Sequence, residues 1–130
     1  MDNIQVPVSP GEVLDKITIL EIKSERITDP DKLANVVHEL ELLRSAWTQM
    51  VTEDETVQSI HEELKAINEV LWEIEDDIRN KELAKEFDQR FIELARSVYV
   101  TNDQRSGVKR KLNAYLGAEI VEEKNYQDYH

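Results

Sequence analysis

Ser9-Pro10-Gly11-Glu12-Val13-Leu14-Asp15-Lys16-Ile17-Thr18-Ile19-Leu20-Glu21-Ile22-Lys23 is the stretch whose reading decides the fold. Ser9 can cap a first turn, Pro10 suits the first helical position, and Glu12 completes a Ser-x-x-Glu capping box. At about 100° per residue, Val13, Ile17, Leu20 and Ile27 share one side of the helix. Ile19 and Ile22 point the other way, and Glu21 falls between Leu14 and Ile17 on the apolar side. A helix apolar on two sides is a central helix or an interface helix. The second side, Ile19 with Ile22, therefore asks for another helix or another subunit.

Working outward, the rest of the chain also reads as helices. Residues 4–8 alternate apolar and polar but contain Pro7 and have no partner strand, so residues 1–9 are expected as a short extended arm. The first helix should run from about Pro10 to Ile27, with Thr28-Asp29-Pro30 ending it and capping the next. A second, from about Pro30 to Met50, carries Leu33, Val36, Val37, Leu40, Leu43, Trp47 and Met50 on one stripe. After the polar break Thr52-Glu53-Asp54-Glu55, residues Val57, Ile60, Leu64, Ile67, Leu71, Ile74 and Ile78 form a coiled-coil-like seam. The shortness of that break predicts a long antiparallel hairpin of helices two and three.

No Gly or Pro occurs between Glu53 and Ser106, so the next boundary is sought in the phase of the apolar stripe. Leu83, Phe87, Phe91, Leu94, Ala95 and Val98 are rotated by roughly 120° from the preceding seam at ideal pitch. That rotation places a kink or short break near Arg79–Glu82. Thr101-Asn102-Asp103 reads as the cap of a last helix with Val108, Leu112, Tyr115, Leu116 and Ile120 on its apolar face. Residues 122–130 make a polar tail that frays unless its tyrosines dock. The expectation is one all-α domain over residues 1–130, a bundle of about five helices.

Composition agrees. Three Gly, three Pro and a charged fraction of 34 % suit long helices and leave little turn chemistry for a sheet. The absence of cysteine excludes disulfides, thiolate metal sites and thiol nucleophiles. No run of about 18 apolar residues offers a membrane span. Met1-Asp2-Asn3-Ile4-Gln5-Val6 has neither the basic nor the apolar region of a secretion signal, so a cytoplasmic location is expected.

The net charge of −12 sits in the first part of the chain: residues 1–80 hold 19 acidic and 7 basic side chains, residues 81–130 hold 9 of each. Duplex DNA is not an expected partner of so acidic a chain. Within the second part, Arg90, Arg96, Arg105, Lys109, Arg110 and Lys111 form a locally basic stretch. It reads as a site for a small anion at Arg105, Lys109 and Arg110, or as a face complementing the acidic half.

Polar residues inside apolar stripes are the sharpest pointers to a site. Glu21 interrupts the first helix, and Arg105 and Glu119 fall within the Val108–Leu112–Leu116 stripe. A buried charge costs several kcal/mol unless paired, so Glu21, Arg105 and Glu119 are candidates for one buried polar network, with Glu21 paired to Arg105. The same residues could line a pocket in which Arg105 holds an anion and the two glutamates act as acid/base groups or metal ligands. Trp72 lies off its seam and joins Ile19 and Ile22 as a candidate partner contact. Glu73-x-x-Asp76 and Glu119-x-x-Glu122 have the spacing of carboxylate pairs that hold Mg²⁺ on facing helices, although acidic solvated faces produce such pairs as well. Glu-x-x-His pairs, Gly-rich phosphate loops, Gly-x-Ser-x-Gly elbows and zinc spacings are absent. Gly107 and Gly117, at about 1 kcal/mol each relative to alanine, ask for the close approach of a backbone or a ligand.

Taken together, Val8-Ser9-Pro10-Gly11-Glu12 with the helix that follows, Ile27-Thr28-Asp29-Pro30, Lys32-Leu33-Ala34-Asn35-Val36, Phe91-Ile92-Glu93-Leu94-Ala95-Arg96-Ser97-Val98-Tyr99, Thr101-Asn102-Asp103 and Glu119-Ile120-Val121-Glu122-Glu123-Lys124-Asn125-Tyr126 are similar to a family of small bacterial proteins known only as a domain of unknown function. The resemblance spans nearly the whole chain and implies no activity. It does mark Glu12, Asp15, Lys16, Glu21, Lys23, Asn102, Asp103, Glu122, Glu123 and Lys124 as part of the family pattern.

The functional expectation is a non-enzymatic interaction or ligand-binding module that self-associates, needs no cofactor, and takes a protein partner or a small anionic ligand. The alternative is a Mg²⁺-dependent all-α hydrolase acting on a nucleotide or another phosphorylated metabolite. A chorismate-mutase-like bundle is a third reading, resting only on helical architecture and charged pocket residues.

Overall fold

A computed structural model describes residues 1–130, and every regular element in it is an α-helix. Helix α1 spans Pro10–Arg26, α2 Pro30–Met50, α3 Glu55–Ala84 and α4 Gln89–Leu116. No helix is long and apolar enough to cross a membrane. Residues 1–9 carry no regular structure and are exposed as far as Val8.

Four helices stand where about five were expected, because Thr101-Asn102-Asp103 lies in the middle of α4 rather than capping a separate helix. Leu94, Val98, Thr101, Arg105, Val108 and Leu112, all buried or half-buried, form one continuous seam of three- and four-residue steps. The apolar contacts on either side keep the backbone helical through a polar run that looks like a cap in sequence.

The chain leaves α3 after Ala84, later than the expected break near Arg79–Glu82. Lys85 takes a left-handed conformation with φ 57°. Its N–H donates to the Glu82 carbonyl at 3.1 Å, and the Glu86 N–H to the Lys81 carbonyl at 3.0 Å, which is a Schellman ending. Glycine is the usual residue there, so a lysine leaves no mark in the sequence. Asp88 then caps α4 by accepting from the Phe91 N–H at 3.0 Å.

The long antiparallel hairpin is α3 with α4, not α2 with α3. Asp54 before α3 bonds the Tyr115 hydroxyl near the end of α4, and Lys111 donates to Glu63 at 2.6 Å. At 1.5 Å per residue the two arms are about 45 and 42 Å long. Helix α1 touches each of the other three, while α2 packs on α1 alone. The short connector between α2 and α3 does not pair them, because α1 covers the apolar stripe of α2.

That makes α1 the central helix. Leu14, Ile17 and Leu20 enter one core with Leu40 and Trp47 of α2, Val57, Ile60 and Leu64 of α3, and Val108 and Leu112 of α4. The side bearing Gly11, Asp15, Thr18 and Ile22 is buried as well. Ile22, only 1 % exposed, is enclosed by the chain's own helices and is not available to a partner; Ile19 is half-buried.

Ser9 caps α1 as expected, accepting from the Glu12 N–H at 3.2 Å. Half the capping box is made, because the Glu12 carboxylate turns instead to Lys109. The close backbone approach expected at Gly107 or Gly117 occurs at Gly11. A Cβ there would lie 2.7 Å from the Lys109 carbonyl oxygen, and the Gly11 N–H donates to Asn113 Oδ1 at 2.7 Å. Gly107 has open space beside it, and Gly117, at φ 66°, is the left-handed residue that ends α4.

Candidate functional site

Beyond Gly117 the chain turns back and runs over α4. Glu122 accepts from the Ser9 hydroxyl at 3.3 Å and lies 3.5 Å from Lys109 Nζ. Lys124 reaches Asp103 at 4.0 Å. The Tyr129 hydroxyl donates to Asp103 Oδ2 at 2.7 Å, and its ring meets Tyr99 edge-on at 5.0 Å between centroids. The tail's tyrosine thus docks. Between tail and helix lies a cleft of about 650 Å³.

The α4 wall of the cleft changes character along its length, because residues three and four apart share a helical face. It begins with Ala95, Val98 and Tyr99, passes Asn102 and Asp103, and ends with Arg105, Ser106 and Lys109. One end is apolar and aromatic, the other cationic.

Its two tail-side lysine pairs differ from its arginine. Lys109, with its side chain 14 % exposed, holds Glu12 at 2.7 Å as well as Glu122. Burial alone would push the Lys109 ammonium down, but the Glu12 hydrogen bond and the charges of Glu12, Asp15 and Glu122 raise it instead. The Lys109 hydrogen bond, opposed by partial burial, holds the Glu12 carboxyl below its usual range. Lys109 is therefore a neutralised cation. Arg105, half-buried in the cleft wall, takes no part in the ion pairs that hold Lys109 and Lys124. Of the three expected anion-binding residues, Arg105 alone lines the cleft without an ion-pair partner in contact, although its charge also helps to hold the Glu12 carboxyl down; Arg110 is exposed and does not line the cleft.

The expected network of Glu21, Arg105 and Glu119 does not form. Glu21 accepts from Arg44 at 2.9 Å and pairs with His61 Nε2 at 2.7 Å, joining α1, α2 and α3 rather than reaching Arg105 of α4. Burial would raise the Glu21 carboxyl, and the His61 and Arg44 contacts more than reverse it. The Glu21 hydrogen bond raises His61 against the opposing effect of burial. Glu119 is exposed and lies past the end of α4, so it occupies no helical stripe.

The carboxylates expected around Mg²⁺ are also apart. Glu73 is taken by Arg26 at 2.5 Å, Asp76 is exposed, and Glu119 and Glu122 lie in the returning tail rather than on a helix facing them. No group of three or more His, Asp or Glu side chains is gathered where it could hold a metal ion. Trp72 is half-buried with the Arg26 guanidinium 5.8 Å from its ring centroid.

One polar cluster escaped the sequence reading. Asn68 donates to Asp15 Oδ1 and to Thr18 Oγ1, both at 2.9 Å, and all three residues are buried. The Thr18 hydroxyl donates in turn to the Asp15 carbonyl at 2.8 Å. The signal was present: Asn68 follows Leu64 by four residues, and Asp15 precedes Thr18 by three on the side of α1 that carries Ile22.

Comparison with known proteins finds no match among curated proteins and none among solved structures. A family model does match, over residues 4–129. By that nearly full-length match the chain belongs to DUF6165, a family of unknown function.

Proposed function

We propose that this chain is a ligand-binding protein whose site is the cleft between α4 and the C-terminal tail, and that Arg105 receives the negative charge of a small anionic ligand. The observation that carries the reading is Arg105 itself, a half-buried guanidinium in a cavity of about 650 Å³ whose neighbouring lysines are already paired. That volume falls within the roughly 300–1,000 Å³ of small-molecule sites, and the lining mixes aromatic surface with a few polar groups. Binding is favoured over turnover because the cleft's carboxylates are engaged, Asp103 by Tyr129 and Lys124 and Glu122 by Ser9 and Lys109.

The test is thermal denaturation against a panel of small anions at low salt, inorganic phosphate and simple carboxylates among them. At least one should raise the melting temperature of the wild type and leave Arg105→Gln unmoved. A panel without effect, or one acting equally on both chains, removes the reading.

Self-association is a second reading, supported by apolar surface at the far end of the α3–α4 hairpin, where Leu83 is 83 %, Phe87 56 % and Ile92 47 % exposed. Light scattering should show a concentration-dependent mass that Leu83→Glu abolishes. A monomer across micromolar concentrations overturns it.

A further inference from the structure

We propose that the face of the α3–α4 hairpin turned away from α1 docks a second copy of this chain. The two copies are related by a two-fold axis that runs along the helices and lays α3 of each copy on α4 of the other. The proposal rests on the self-association reading and gives it a surface and a symmetry.

The face is uncovered within the chain. Helix α1 lies against the side that carries Val57, Ile60, Leu64 and Leu112, and α2 packs on α1 alone. The tail runs along the cleft side of α4. On the outward side Ala66, Val70 and Val100 are all exposed, beside a groove lined by Ile67 and Gly107 among others. Two helices about 42 Å long, set about 8–10 Å apart, present roughly 800 Å² per copy, the size of a standard interface.

Charge selects what covers it. Helix α3 carries nine acidic and three basic side chains, a net of −6, and α4 six basic and two acidic, a net of +4. With the helices of two copies aligned face to face, two two-fold axes are possible. An axis across the helices stacks α3 on α3, acid over acid. An axis along them stacks α3 on α4 and joins opposite charges.

The rims hold matching pairs. Glu62 stands four residues before Ala66 and Asp77 seven after Val70, while Arg96 stands four before Val100 and Arg110 three after Gly107. At helical pitch all four therefore border the outward face. All four are exposed and take no part in an ion pair, whereas Arg90, Lys109 and Lys111 of α4 are held by acids of their own chain. Glu62 and Asp77 are about 22 Å apart along α3, and Arg96 and Arg110 about 21 Å apart along α4. The Lys111–Glu63 bond sets Arg110 level with Glu62, and the antiparallel run of the hairpin then sets Arg96 level with Asp77. Rotation about an axis along the helices preserves height. Glu62 of each copy thus meets Arg110 of the other, and Asp77 meets Arg96.

The experiment is sedimentation velocity on the full chain across micromolar concentrations at low salt, with two charge-reversed variants. One carries Arg96→Glu with Arg110→Glu, the other Glu62→Arg with Asp77→Arg. Wild type should approach twice the mass of one chain, and added salt should weaken it. Each variant alone, with circular dichroism matching wild type, should associate at least about ten-fold more weakly. Their equimolar mixture should form a mixed dimer as tight as wild type, because every rim pair is then opposite in sign. Variants that associate like wild type, or a mixture that stays monomeric, overturn the proposal. Leu83 lies about 140° from Val70 around α3, so Leu83→Glu should leave this dimer unchanged. If instead Leu83→Glu dissociates the dimer and the charge reversals do not, self-association belongs to the hairpin tip and only this surface fails. A wild type that stays monomeric removes both.

Discussion

Gly11→Ala and Gly107→Ala should change stability in opposite directions, and the contrast follows from where α1 meets α4. Both glycines lie within helices, where alanine is favoured by about 0.5–1 kcal/mol when nothing else intervenes. At Gly107 nothing intervenes, since a Cβ there meets no heavy atom within 4 Å. At Gly11 a Cβ would stand 2.7 Å from the Lys109 carbonyl oxygen, 3.0 Å from Asn113 Oδ1 and 3.1 Å from Lys109 Cβ. The first is backbone of a 28-residue helix and cannot swing aside, so α1 must move off α4. Overpacking of this kind costs about 1–3 kcal/mol. The displacement also lengthens the 2.7 Å bond from the Gly11 N–H to Asn113, worth about 1 kcal/mol more. Net of the propensity gain, Gly11→Ala should lose roughly 2 kcal/mol, or about 6–10 °C in melting temperature for a chain of this size. Gly107→Ala should gain about 2–5 °C. Thermal unfolding followed by circular dichroism at 222 nm (the helix band), on both variants in one buffer, measures the pair. A Gly11→Ala protein as stable as wild type, or shifts of the same sign at both positions, would refute the close contact of α1 with α4.

The Glu21–His61–Arg44 cluster should give a pH-dependent contribution with two edges. His61 is raised in the folded state, so its stabilisation is full below the ordinary value of 6.5 and is lost as pH rises through the folded value. Glu21 is depressed, so its share is present above 4.5 and is lost as pH falls through the folded value. His61→Gln should therefore cost more stability at pH 6 than at pH 9 in urea titrations; an equal cost at both would show that the pair carries no charge. Asn68→Ala should cost about 3 kcal/mol by stranding Asp15 and Thr18 in the interior, and Asp15→Leu combined with Asn68→Leu should cost less than the sum of the two single changes. Strict additivity of unfolding free energies would mean the two side chains do not touch. Lys85→Gly should raise stability by about 1 kcal/mol by removing the side chain from a left-handed position, and an unchanged melting temperature would place Lys85 elsewhere in the Ramachandran map.

Local periodicity carried the helices and failed where pairing was decided at a distance. The seam from Val57 to Ile78 and the two buried sides of α1 are written in spacings of three and four, which is why a helix that must be central could be recognised before any contact was known. The partner of α3 could not be read the same way. Two apolar stripes, those of α2 and α4, were equally suited to its seam, and connector length favoured α2. The competition was settled by α1, whose Leu14, Ile17 and Leu20 occupy the side of α2 that bears Leu40 and Trp47. Of the cleft, the sequence offered the cations Arg105 and Lys109 and the docking tyrosines of the tail, but not which contacts close it. Its closing contacts join Tyr129 to Asp103 and Glu122 to Ser9, pairs 26 and 113 residues apart, and neither belongs to a periodic pattern.

The misassigned partner of Glu21 and the candidate site are one fact seen from two sides. A carboxylate in an apolar stripe demands a cation, and sequence alone states the demand without naming the supplier. Arg105 met it on paper because it is the cation that interrupts an apolar seam. In the folded chain α1 turns Glu21 toward α2 and α3, where Arg44 and the off-seam His61 satisfy it. Lys109, one turn beyond Arg105, is then drawn to Glu12 and Glu122 at the other end of α1. Glu12 and Glu122 are thereby taken by Lys109, and Arg105 stays in the cleft wall with no carboxylate in contact. Had Glu21 taken Arg105, the cleft would be lined by closed ion pairs and a small anion would have nothing there to bind.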